Sequence, residues 1–216
     1  MTYPVAQNGE INSLNSGWAK LVSDVVSPPV VWALMAIPIA GRNAPSTYDG
    51  VTWALIYILL VSAAPLLYIL IQVRRGNITD MHMPQREERL RPFIVSAIMA
   101  ALATFILHAI GASAIMQLFV LSSLLQIVLM AIITTIWQIS IHAISIAGAV
   151  ITAGALYGMT VAFVLLPLVV IVGLARLKLR RHTRAQVVAG VAVGAISVTT
   201  LLTLAGVFVP GIWGHN

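Results

Sequence analysis

The chain has 216 residues, of which 60% are hydrophobic and only 8% charged, with a net charge of +6. A soluble domain carries about 25% charged residues, so a water-soluble fold of this size is excluded. No Asp, Glu, Lys or Arg lies between Arg91 and Arg176, between Asp49 and Arg74, or after Arg184. A span needs about 20 apolar residues, and these gaps hold several. The composition predicts an all-α, polytopic transmembrane bundle of six to seven spans. A transmembrane barrel would show short alternating strands, and none appear. Cysteine is absent, which removes disulfides, thiol nucleophiles and thiolate metal sites. The basic residues sit in short loops between spans, which argues against a nucleic-acid partner.

Seven crossings follow in chain order. Met1 to Lys20 lacks the basic segment and apolar stretch of a signal peptide and reads as an N-terminal interfacial segment, residues 1–24. The first crossing is Val25 to Ala40, short and interrupted by Pro28, Pro29 and Pro38. The second is Val51 to Val73, and the third Phe93 to Ile110, ended by Gly111-Ala112-Ser113. The fourth is Ala114 to Trp137. Ile141 to Leu156 and Met159 to Ala175 are the fifth and sixth, two short crossings with Gly154 and Gly158 near the turn. The seventh is Ala185 to Val209, ended by Pro210-Gly211. Trp53, Trp137 and Trp213 fall near span ends, where amphipathic rings favour the interface. The whole chain, 1–216, reads as one membrane-embedded domain.

Two loops hold nearly all the charge, Arg74 to Pro92 and Arg176 to Arg184. A third polar point, Gln138 to His142, lies between the fourth and fifth crossings. Two crossings separate each cluster from the next, so all three share one face of the membrane. Every lysine and arginine except Arg42 belongs to that face. The positive-inside bias places it in the cytoplasm and the C-terminal His215 and Asn216 outside.

The last basic cluster has a specific spacing: Arg176, five residues, His182, three, Gln186, three, Gly190. His182, Gln186 and Gly190 share one helix face. Ser140 and His142 open another helix, and Arg86, Arg89 and Arg91 precede a third. Arginine forks bind phosphoryl oxygens bidentately, and helix N-termini add N–H donors. One histidine can attack phosphorus while a second protonates the leaving oxygen. The set suits a phosphate monoester or diphosphate, with too few carboxylates for a metal cage and no cofactor implied. Ser140 also reads as an N-cap. His108 reads as a structural intramembrane histidine, and His82 and Asp80 take no role.

These residues resemble the motifs of the type 2 phosphatidic acid phosphatase superfamily, which includes the vanadium haloperoxidases. Its third motif is Ser-Arg, five residues, His, three, Asp; here Ala175-Arg176, His182 and Gln186 hold those places. Its second is Pro-Ser-Gly-His, against Ile139-Ser140-Ile141-His142. Its first is Lys, six residues, Arg-Pro, against Pro84 and Arg91-Pro92. The resemblance runs from Asp80 to Gly190 and points to a divergent bacterial or archaeal branch. It implies a phosphatase in a prokaryotic cell membrane, acting on a lipid phosphate or polyprenyl (di)phosphate. His182 would be the nucleophile that becomes phosphohistidine, and His142 the general acid and then base. Arg176 and Arg91 would bind phosphoryl oxygens, Ser140 would hydrogen-bond one, and Arg86 or Arg89 would replace the missing Lys. Gln186 would orient His182. The alternative is a non-catalytic member serving as subunit or assembly factor of a larger membrane protein complex. An intramembrane prenyltransferase would need a second aspartate-rich motif, and no acidic residue follows Glu88. A transporter would need a repeat or a charged broken-helix pair, and neither is visible.

Overall fold

Eight helices account for most of residues 7–207, which the computed structural model describes apart from residues 82 and 84, with side chains from residue 16 onward. They are α1 (Gln7–Val25), α2 (Pro28–Asn43), α3 (Thr47–Arg74), α4 (Leu90–Ala109), α5 (Ala114–Ile136), α6 (Ile141–Tyr157), α7 (Met159–Lys178) and α8 (Arg184–Leu204). Five of them, α3, α4, α5, α7 and α8, are long and apolar enough to cross a membrane. The tail of α1 and α2 pass the same test only as a pair, bent by 47°, which makes up to six candidates when the pair is counted as one span. The chain is an integral membrane protein built as an all-α bundle. Pro84, His82, Trp213 and the C-terminal residues from 208 on, Pro210, Gly211, His215 and Asn216 among them, lie outside the described residues.

The seventh apolar element, α6, has 17 residues, a length of roughly 25 Å at 1.5 Å per residue. Every residue from His142 to Val150 is buried, and α2, α7 and α8 pack around it. It is the axis of the bundle, whereas Leu34, Leu59, Phe105, Phe163 and Ile196 on the outer helices remain exposed as a lipid-facing surface would. Gly158 turns the chain from α6 into α7 with φ +98, a conformation in which a Cβ would be strained.

The sequence dictates the helix ends locally. Ser46, Ser113, Ser140 and Thr183 are N-caps whose hydroxyls accept backbone N–H groups three residues on, satisfying donors that the helix leaves open. Within α3 a π-turn spans Ile58–Ala63, and the Ala64 N–H reaches the Leu59 carbonyl. It adjoins Pro65, which has no N–H to give.

α6 and α8 approach more closely than ordinary side chains would allow. A Cβ on Gly190 would sit 2.7 Å from the Ser140 carbonyl oxygen, and one on Gly194 would sit 2.9 Å from Ile144 Cα. This is the small-residue contact by which membrane helices bring backbones together. It fixes where the first turn of α6 stands relative to the first turn of α8. At the other end Tyr57 and Phe119 stack at 4.7 Å, Tyr57 bonds Ser123 at 2.6 Å, and Arg42 sits over the Tyr157 ring at 5.5 Å.

Candidate active site

The chemistry-bearing residues sit at one end of the bundle, positioned by helix ends. Ser140 caps α6, its hydroxyl accepting the Ala143 N–H at 3.4 Å. Thr183 caps α8 through a capping box: the Thr183 N–H donates to Gln186 Oε1 at 2.9 Å, and the Gln186 N–H donates to Thr183 Oγ1 at 3.3 Å. The two caps are joined directly, because the Ser140 N–H donates to the Gln186 carbonyl at 3.1 Å. His142 and His182 therefore belong to adjoining helix starts. The last turn of α7 brings Arg176 to the same place.

The two charged loops meet there as well. Arg181 Nη2 lies 2.9 Å from Asp80 Oδ2. Arg86 Nη1 donates to the Thr135 and Ile136 carbonyls, each at 3.2 Å, closing the C-terminus of α5. The three polar clusters that parity assigns to one face are thus in physical contact at one end.

Burial separates the arginines. Arg176 and Arg89 are each 2% exposed. Arg176 Nη1 donates to the Ser23 hydroxyl at 2.6 Å, but its Nε has no partner. Arg89 Nε donates to the Met83 carbonyl at 2.8 Å, but its Nη1 has none. Burial lowers the Arg89 pKa to about 10, which leaves it charged at neutral pH. Arg91, by contrast, is exposed, and Arg86 is exposed and occupied by the α5 carbonyls. Of the three arginines at the start of α4, Arg86, Arg89 and Arg91, only Arg89 is buried. Residues two apart on a helix point about 200° apart, so Arg89 and Arg91 leave the start of α4 in different directions, one buried and one exposed. Met83, with φ +44, shapes the turn that presents its carbonyl to Arg89.

His182 is buried, and its Nδ1 has no partner. Its pKa is pushed down to about 3, first by burial and then by Arg176 and Arg89, with the Gln186 side chain opposing and Arg181 adding. At neutral pH it is an uncharged imidazole with a lone pair to offer. The Gln186 side chain lies close enough to influence it, yet its oxygen closes the Thr183 cap, and Nδ1 is left without the acceptor that would orient the ring. His142 Nε2 lies 3.1 Å from the Ser23 carbonyl. Ser140 is fully buried and serves as a cap, the plainer of its two sequence readings.

Ser23 is the participant that sequence motifs do not indicate. It joins the site from the end of α1, far from the other residues in the chain. Among the described residues no three His, Asp or Glu side chains gather where they could hold a metal ion. No family model, no curated protein and no solved structure matches the chain.

Proposed function

We propose that this protein is an integral membrane phosphatase that hydrolyses a lipid phosphate or polyprenyl (di)phosphate through a phosphohistidine intermediate. One observation carries the reading. Arg89 Nη1, Arg176 Nε and His182 Nδ1 are buried without partners at the same end of the bundle. Both guanidiniums are near enough to depress the His182 pKa. Burying an unpaired guanidinium N–H is costly, and among the described residues neither arginine forms an ion pair. A phosphoryl group supplies what they lack, since its oxygens accept charge-assisted bonds from arginine.

The chemistry starts from the neutral state of His182. Neutral His182 attacks phosphorus, and the P–O bond to the lipid breaks as the N–P bond forms. His142 enters the step protonated, gives the proton on Nδ1, the nitrogen that the Ser23 carbonyl does not hold, to the departing oxygen, and then takes one back from the water that cleaves the N–P bond. Arg89 and Arg176 hold the phosphoryl oxygens throughout and offset the charge that develops on them. The resemblance of Arg176, His182, Ser140 and His142 to the type 2 phosphatidic acid phosphatase motifs supports the same assignment. Arg89 takes the arginine position in place of Arg91. A lipid substrate would keep its tail in the bilayer while its headgroup reaches the polar end. The Lys and Arg asymmetry supports placing that end in the cytoplasm, and the family resemblance points to a prokaryotic cell.

The second reading, a non-catalytic phosphatase-like subunit, is favoured by one observation. Gln186 closes a helix cap and leaves His182 Nδ1 unpaired. The two readings divide on phosphate release from a panel of lipid phosphates by the purified protein in detergent. Release that disappears with His182→Ala supports the phosphatase. Wild-type protein that is inert on every lipid, while still binding vanadate, supports the subunit.

A further inference from the structure

We propose that Ser23 is a positioning residue of the phosphate site, so that α1 is a structural part of that site. The proposal rests on the phosphatase reading above and concerns how its two working side chains are held.

Ser23 is 1% exposed and contacts two chemistry-bearing residues with two different atoms. Its hydroxyl oxygen accepts from Arg176 Nη1 at 2.6 Å, across 153 positions of sequence. Its carbonyl oxygen lies 3.1 Å from His142 Nε2, across 119 positions. Arg176 belongs to α7 and His142 to α6, so this one residue ties two helices of the site to a third.

Local sequence explains why that carbonyl is available. The last four carbonyls of a helix have no helical donor. After α1 the chain enters Pro28-Pro29, and the residue before a proline is pushed out of the helical region: Ser27 is extended, at φ −73 and ψ 151, so the helix stops before the Ser27 N–H can close onto Ser23. The Val26 N–H closes onto Val22, and the Ser23 carbonyl is used by His142. The 47° bend between α1 and α2 accompanies this stop, and α1 packs along α7.

Each contact has a definite consequence. A carbonyl only accepts, so the contact requires a hydrogen on His142 Nε2 and fixes the ring's orientation. A buried arginine has many rotamers and few reasons to prefer one. The Ser23 hydroxyl pins Nη1, and that leaves the unpaired Nε edge to meet a phosphoryl oxygen. Asp24, the next residue, stands near enough to act electrostatically on Arg176.

The test compares wild type with Ser23→Ala, and Ser23→Thr with Ser23→Val, a pair of equal size that differs in the hydroxyl. Initial rates of phosphate release give kcat and KM, and orthovanadate inhibition gives the affinity of the site for a phosphate mimic. Ser23→Ala should raise KM and weaken vanadate inhibition about tenfold, the loss expected when a charged donor is no longer held in place, with kcat changed less. Ser23→Thr should stay near wild type, and Ser23→Val should follow Ser23→Ala. Should Ser23→Ala reduce the yield of folded protein, the Thr and Val pair reads the same hydroxyl. Wild-type values in Ser23→Ala, or equal losses in Thr and Val, overturn the positioning role and leave the phosphatase reading intact. A wild type that neither releases phosphate nor binds vanadate removes that reading and this inference together.

Discussion

The Ser140 N–H donates to the Gln186 carbonyl at 3.1 Å, and that bond holds the first turn of α6, which carries His142, to the first turn of α8, which His182 immediately precedes. The bond forms because α6 and α8 touch through glycine. At Gly190 an added Cβ would meet Ser140 and Ala143 at 2.7 and 3.0 Å.

Gly190→Leu should therefore cost about 2–3 kcal/mol of stability, as overpacking of a close contact does, and should also impair phosphate release. Gly41→Leu is the control, since nothing lies within 4 Å of a Cβ there. Thermal unfolding in detergent reads the first effect. Equal melting temperatures for the two variants would show that the helices do not need the glycine.

Gln186 gives a sharper result. Its oxygen closes the Thr183 cap, and its side chain also acts on His182, raising the pKa of the ring. An aspartate would bring a negative charge to the first turn of α8, favourable to that helix end and to the imidazolium that develops on His182. Gln186→Asp should raise turnover about tenfold, taking a charge-assisted bond of about 1.5 kcal/mol as the gain. Gln186→Leu should lower turnover and lose about 1 kcal/mol of stability with the cap. An unchanged rate in both would show that residue 186 has no part in catalysis.

Acid should destabilise the fold through His182. In the unfolded chain an imidazole takes up a proton below about pH 6.5, whereas the folded one resists until about 3. Between those values the unfolded state binds more protons, so stability falls as pH is lowered through that window. His182→Asn should flatten the decline. A melting temperature with the same pH dependence in both proteins would contradict a buried neutral His182.

The basic loops should face the cytoplasm. The chain has no cysteine, so Asn77→Cys introduces a single thiol at an exposed loop position. It should resist membrane-impermeant thiol reagents in intact cells and react after lysis. Ready labelling in intact cells would invert the topology.

Much of this arrangement is legible in the sequence. The starts of α5, α6 and α7 fall where Ala114, Ile141 and Met159 mark them, because Ser113, Ser140 and Gly158 are punctuation with a physical basis. Parity alone brings the three polar clusters to one end, since each crossing reverses the chain. Two things stay hidden. Arg91 is the better motif match, but the turn at Met83 and the helical twist send Arg89 inward instead. Ser23 has no motif at all. Its contacts with His142 and Arg176 span more than a hundred residues, and local pattern carries no information about pairs so distant.

The central claim is that Arg89, Arg176 and His182 form an anion site to which Arg91 does not contribute. The direct measurement is calorimetric titration of orthovanadate into the purified protein and into Arg89→Met, Arg176→Met and Arg91→Met. Binding to wild type and Arg91→Met, with at least about a tenfold loss in Arg89→Met and Arg176→Met, is the expected result. Loss in Arg91→Met with binding intact in Arg89→Met, or no binding to the wild type at all, would contradict it.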